Sequence, residues 1–67
     1  MKTFDTYKDL KKGDVVRYED VYIHPKLSIS GEGPIIGFGE FGFKTFVWVA
    51  KPEGGAAAIP YEEIIKV

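Results

Sequence analysis

The sequence contains no cysteine and only one histidine, His24. Without cysteine the chain has neither disulfides nor thiolate metal ligands, and a single histidine does not supply a multi-histidine metal site. No segment approaches the roughly 20 apolar residues of a transmembrane helix. The charged start Met1–Asp5 also lacks the apolar core of a signal peptide. We therefore expect a cytoplasmic protein that holds no metal or other cofactor and binds no membrane.

The chain is short and nearly neutral, with 67 residues and a formal net charge of -1. This length predicts one domain, residues 1–67, which buries only about 60% of its unfolded surface. A composition of 45% hydrophobic and 15% aromatic residues argues against disorder. Since disulfides and metals are excluded as supports, we expect dense packing or homo-oligomerisation.

Short β-branched and aromatic segments separated by turn residues predict an all-β fold. The predicted strands cover residues 15–19, 35–43, 46–50, 56–59 and 64–67, with a single 3₁₀ turn at residues 60–63. Residues 20–33 contain Pro25 and several serines and glycines, and we interpret them as one long, partly extended loop. Residues 1–12 are predicted to form an N-terminal cap segment, as a helical turn or an irregular stretch, because Phe4, Tyr7 and Leu10 recur at every third position.

The strand Phe46–Ala50 is apolar on both faces. A strand with one face in water normally alternates apolar and polar residues. The outer face of this strand must therefore be covered, either by the N-terminal segment or by another chain. This requirement is the second reason to expect self-association.

Three features with catalytic or nucleotide-binding potential have simpler interpretations. The segment Gly37–Gly42 matches G-x-G-x-x-G, but a dinucleotide loop needs a helix after it, and a strand follows here. We interpret these glycines as bends in the sheet. His24 has no nucleophile or carboxylate placed beside it by sequence, and the acidic residues suit solvated rims. We therefore expect a protein that is not an enzyme and has no catalytic residues.

The order of strands, long loop and 3₁₀ turn resembles the SH3-like barrel. Leu10–Val16 resembles the start of the first barrel strand, and Gly33–Phe38 resembles the strand after the long loop. Ile59–Ile65 resembles the ending of strand, 3₁₀ turn and strand. The resemblance implies a small five-stranded barrel with a binding groove between the long loop and the 3₁₀ turn. It would bring five partner-binding residues near that groove: Tyr18, Tyr22, Trp48, Pro60 and Tyr61.

Three kinds of SH3-like protein are similar in part. KOW domains share the Gly-Asp-x-Val start seen at Gly13–Val16, which implies nucleic-acid binding. The small SH3-like subunit of photosystem I is similar in size and strand order. Type II dihydrofolate reductases share the same start, and their Val-Gln-Ile-Tyr run corresponds to Ala57–Tyr61, which contains no glutamine.

The leading hypothesis is a non-enzymatic module that binds a protein partner through surface aromatic residues, as an accessory protein of the kind that phages and plasmids encode. The first alternative is a KOW-like nucleic-acid-binding domain, with contacts from Lys11, Lys12 and Arg17. The second alternative is an oligomeric enzyme resembling the type II reductases.

Overall fold

The computed structural model describes residues 2–67, so Met1 of the predicted cap segment lies outside the described residues. Residues 2–67 form eight strands and one 3₁₀ turn. They are β1 (Lys2–Phe4), β2 (Thr6–Tyr7), β3 (Leu10–Lys11), β4 (Val15–His24), β5 (Leu27–Phe41), β6 (Lys44–Ala50), β7 (Ala56–Pro60), the 3₁₀ turn (Tyr61–Glu63) and β8 (Ile65–Lys66). The prediction of an all-β chain with a 3₁₀ turn before the last strand is confirmed.

The main sheet has the strand order β7-β6-β5-β4-β8, with β1 also paired to β5, and β2 pairs with β3 separately. All pairings are antiparallel. The predicted closure into a five-stranded barrel is not seen, because β7 and β8 form no pairing within residues 2–67. The two-residue β8 pairs only with Val16 and Arg17 of β4, which leaves the sheet open.

The long strand β5 takes part in both halves of the sheet. Its first half pairs with β4, and its second half pairs with β6 on one side and β1 on the other. Side chains from β3 to β7 meet in one core cluster. The core consists of Leu10, Val16, Tyr18, Val21, Ile35, Phe38, Val47, Val49, Ala57 and Ile59.

β5 has glycine at positions where other parts of the molecule closely approach its backbone. A Cβ atom on Gly33 would lie directly against the carbonyl oxygen of Ala50. A Cβ atom on Gly39 would lie 2.7 Å from Trp48 Cζ2, and one on Gly37 would lie 3.0 Å from Trp48 Cε3. For Gly37 and Gly39, which were predicted to bend the sheet, the specific cause is close approach of Trp48, and Gly33 joins them although it was interpreted as part of a loop.

The interpretation of residues 20–33 as a long loop is wrong. β4 continues to His24, the chain turns at Pro25 and Lys26, and β5 begins at Leu27. Pro25 ends the pairing only at the turn, where its missing N–H is not needed. A bulge beside Asp20, whose φ is +47°, interrupts the ladder, and the Asp20 N–H donates a hydrogen bond to Ser30 Oγ at 2.9 Å.

The predicted N-terminal cap is also built from strands and contains no helical turn in its described part. Phe4, Tyr7 and Leu10 belong to β1, β2 and β3 respectively, so turns between three short strands produce the three-residue spacing. Phe4 stacks on Phe38, with ring centroids 6.0 Å apart. The segment therefore packs on the core and extends the sheet through β1.

Substitution of the close-approach glycines tests this arrangement. We expect Gly33→Ala to lower the free energy of unfolding by about 3 kcal/mol and Gly39→Ala by about 1 kcal/mol. Gly33 is approached by backbone, which cannot move aside, whereas Gly39 is approached by the Trp48 side chain, which can. Urea denaturation measures both values, and an equal or reversed order would contradict the described packing.

Candidate functional site

The clearest candidate surface is the outer side of β6. Val47 and Val49 are fully buried in the core, and Phe46 and Trp48 alternate with them and lie on the opposite face, where both are only partly buried. Opposite Phe46 and Trp48 stand Gly39 and Gly37 of β5, which have no side chains to cover them. The strand is therefore apolar on both faces, as predicted, and its outer side is open.

A hollow of about 240 Å³ lies on this side of the sheet. Gly39, Phe41, Phe46, Trp48 and Ala58 line it, and we call this surface the outer aromatic face. The Trp48 ring packs over the two glycines of β5, which fixes its orientation. An apolar side chain of a partner would find aromatic walls here and no charged residue in the lining.

The N-terminal segment does not cover the outer aromatic face. Phe4 and Tyr7 pack against the core from the other side of the sheet, and Leu10 is one of the core residues. None of the three lines the hollow. The N-terminal segment is thus excluded as the cover of β6. Self-association, which would supply the other predicted cover, stays a prediction.

The turn between β5 and β6 carries two exposed phenylalanines. Phe41 is 70% exposed and belongs to the outer aromatic face. Phe43 is 108% exposed and follows Gly42, whose φ of +63° makes the tight turn. Phe43 contributes nothing to the core, so folding gives no account of a phenyl ring at this turn position.

A second depression, of about 550 Å³, lies beyond this turn. We call it the tyrosine cleft, and its lining is Tyr7, Lys8, Phe43, Lys44, Thr45, Tyr61 and Glu62. The Tyr7 and Tyr61 rings meet edge to face at 4.9 Å. Tyr61 is held further by its hydroxyl, which donates a hydrogen bond to Asp9 Oδ1 at 3.3 Å.

The five residues predicted to share one groove are distributed over different parts of the molecule. Tyr18 is a core residue, 4% exposed, whose ring lies against Gly31 of the paired strand, so it offers no surface to a partner. Tyr22 is exposed on the β4–β5 arm, Trp48 lies on the outer aromatic face, and Tyr61 lines the tyrosine cleft. Pro60 is partly buried at the end of β7, opposite Phe46.

The residues predicted as nucleic-acid contacts have neighbouring carboxylates or form part of a turn. Lys11 Nζ lies 3.0 Å from Asp14 Oδ1, and Arg17 Nε lies 3.6 Å from Glu19 Oε1. The exposed Lys12 donates its backbone N–H to the Asp5 carbonyl oxygen at 2.9 Å. The ion pairs of Lys11 and Arg17 partly neutralise the positive charge of the predicted nucleic-acid contacts.

The single histidine lies apart from the two surfaces described above. His24 is exposed at the β4–β5 turn, where its Nδ1 accepts a hydrogen bond from the Lys26 N–H at 3.4 Å. Across residues 2–67, no group of three or more histidine and acidic residues is placed to hold a metal ion. The described part of the chain also has no helix long and apolar enough to cross a membrane.

The sequence-based site prediction did not include Phe41, Phe43 and Phe46 of the two surfaces, nor the cleft residues Tyr7 and Lys8. One signal was available for Phe46, because the two-faced apolar pattern of β6 already indicated that its outer face meets a covering surface. The cleft depends on contacts between the N-terminus and the 3₁₀ turn, and no local pattern indicates such contacts.

No protein-family model, curated protein or solved structure matches the chain.

Lys11 affects the ionisation of Asp14 in a way that acid denaturation can test. The hydrogen bond from the Lys11 side chain, and a second from its backbone N–H, lower the pKa of the Asp14 carboxyl below its usual range. The carboxylate therefore stabilises the folded state fully above about pH 4, the pKa of an unfolded chain's aspartate, and this contribution is lost as the pH falls through the lower folded pKa.

We expect Asp14→Asn to flatten the dependence of stability on pH below about pH 4. Thermal unfolding between pH 2 and pH 5 measures the effect, with Glu53→Gln in the exposed β6–β7 loop as the control for removing one acidic charge. An Asp14→Asn variant that keeps the wild-type slope would show that the Lys11–Asp14 pair does not form in solution.

Proposed function

We propose that this protein is a non-enzymatic, SH3-like binding module that recognises a protein partner through its outer aromatic face. The fold assignment is supported by the strand order β7-β6-β5-β4-β8 and by the 3₁₀ turn between the last two strands. The long hairpin of β4 and β5, and the sharing of β5 by both halves of the sheet, are further support.

The observation that carries the proposal is the hollow on the outer side of β6, where the exposed Phe41 lies beside the partly buried Phe46 and Trp48. Aromatic residues that line an open hollow are typical anchors of protein interfaces. Burial of apolar surface contributes about 25 cal/mol per Å². Phe41 is 70% exposed in the isolated chain, so most of its surface can be buried only by a partner. The absence of charge in the lining favours an apolar patch on a protein over a phosphate backbone.

The alternatives have less support. A nucleic-acid-binding surface would depend on Lys11, Lys12 and Arg17, two of which already have carboxylate neighbours, in a chain of net charge -1. An oligomeric enzyme would need a shared site, and neither the outer aromatic face nor the tyrosine cleft holds a histidine or a pair of carboxylates. The lack of cysteine is consistent with an accessory protein of the cytoplasm.

A pair of matched variants tests the proposal. Phe41 and Tyr22 are exposed to the same degree, 70% and 69%, but only Phe41 belongs to the outer aromatic face. We expect Phe41→Ser to reduce capture of a partner by at least about tenfold, because it removes an apolar anchor worth more than about 1.4 kcal/mol. Tyr22→Ser should capture the partner as the wild type does.

Quantitative affinity capture from a lysate, with the free energy of unfolding measured for each variant, provides the readout. A partner retained equally by both variants would show that the interface lies elsewhere. Salt-sensitive binding of RNA or DNA with no protein captured would favour the nucleic-acid alternative.

Self-association uses the same face in this proposal. Sedimentation of the wild type, Phe41→Ser and Tyr22→Ser should show concentration-dependent dimers that only Phe41→Ser weakens. A monomer at all concentrations would leave the outer aromatic face free for a different protein and would exclude a homo-oligomer.

A further inference from the structure

The tyrosine cleft contains more positive than negative charge. Lys8 and Lys44 line it, opposed by one carboxylate, Glu62. Neither lysine forms an ion pair within residues 2–67, whereas Lys11, Arg17 and Lys66 each have a carboxylate partner. The cleft therefore has unbalanced ammonium groups beside aromatic side chains.

The Lys8 ammonium is held in place by the two rings of the cleft. Its Nζ lies 5.5 Å from the centroid of Tyr7 and 5.2 Å from the centroid of Tyr61. These cation–π contacts orient the ammonium without neutralising it. An incoming anion would meet a positioned charge and would not have to order a free lysine side chain first.

The backbone of Lys8 gives a second, independent indication that its side chain has a role beyond folding. Lys8 has a φ of +54°, a left-handed conformation that glycine and asparagine adopt more readily than a lysine. A residue kept in a disfavoured conformation at a cleft is a candidate for function. Here the Lys8 side chain lies over Tyr7 and Tyr61. A glycine would suit the backbone conformation but would have no side chain to place there.

We propose that the tyrosine cleft receives a carboxylate-bearing segment of the partner protein, with Lys8 and Lys44 as its charge contacts and Phe43 as an apolar contact at the rim. The two lysine ammonium groups complement the side chains of aspartate and glutamate, and an exposed phenyl ring complements an apolar residue between them. The volume of about 550 Å³ suits a few side chains and not a folded element. This inference rests on the proposed function, because it specifies the chemistry of the same class of partner.

A peptide titration followed by NMR tests the inference on the intact chain. The probe is acetyl-Glu-Glu-Phe-Glu-Glu-amide, and its matched control is the uncharged isostere acetyl-Gln-Gln-Phe-Gln-Gln-amide. We expect amide shifts at Lys8, Lys44 and Tyr61 with the acidic peptide only, weakening as salt is added or as the peptide carboxylates protonate below about pH 4. Equal shifts with both peptides, or no shifts at these residues, would overturn the proposal.

Variants at the two lysines provide a stricter test. Asparagine tolerates the left-handed backbone conformation at position 8, so Lys8→Asn should keep the fold while it removes the charge. We expect Lys8→Asn and Lys44→Gln each to weaken binding of the acidic peptide by about fivefold. Lys26→Asn, in the β4–β5 turn and outside the cleft lining, removes the same charge and should bind as the wild type does.

The outcomes separate this inference from the proposed function. A lysate partner lost with Phe41→Ser but captured normally by Lys8→Asn and Lys44→Gln would overturn the inference and leave the proposed function standing. Acidic-peptide binding that depends on both lysines, with no effect of Phe41→Ser on partner capture, would overturn the proposed function and support the acidic ligand of the cleft. Binding of an eight-residue oligothymidylate, with no binding of the acidic peptide, would show that the cleft takes nucleic acid and would also overturn the inference.

Discussion

The strand pairing of the main sheet depends on the close approach of other parts of the chain to the backbone of β5. The carbonyl of Ala50 lies against Gly33, and the indole of Trp48 lies on Gly37 and Gly39. These contacts let one strand pair with β4 in its first half and with β6 and β1 in its second half. A residue with a Cβ atom at Gly33 would push β6 away and open the core around Val47 and Val49.

The same contacts create the surface to which we assign the function. Because glycine occupies the positions opposite Trp48 and Phe46, the outer side of β6 has no side chains from β5 to cover it. Packing over Gly37 and Gly39 orients the Trp48 ring and leaves part of it open. Phe41 extends this face toward the β5–β6 turn, and Phe43 continues from the turn into the tyrosine cleft. In our proposal, core formation and partner recognition use opposite faces of one strand.

The sequence predicted the all-β class, β6, β7 and the 3₁₀ turn, because their signals are local: β-branched runs, paired glycines and a proline before the turn. It failed for the β4–β5 hairpin, where Ser28, Ser30, Gly31 and Gly33 have loop composition but form one arm of an antiparallel pair. Backbone pairing overrode residue preference there. For the site, Tyr18 was misassigned because a tyrosine has no sequence signal that distinguishes burial against Gly31 from exposure.

Trp48 is the single tryptophan, so its fluorescence reports directly on the outer aromatic face. Acrylamide quenching of the isolated protein at low micromolar concentration is the most direct test of the central claim, which is that this face is open in the folded chain. The account predicts that the quencher reaches the indole of the dilute folded protein, and that access falls when a partner or a second copy binds. An indole shielded at every concentration, with blue emission typical of a core residue, would contradict the account.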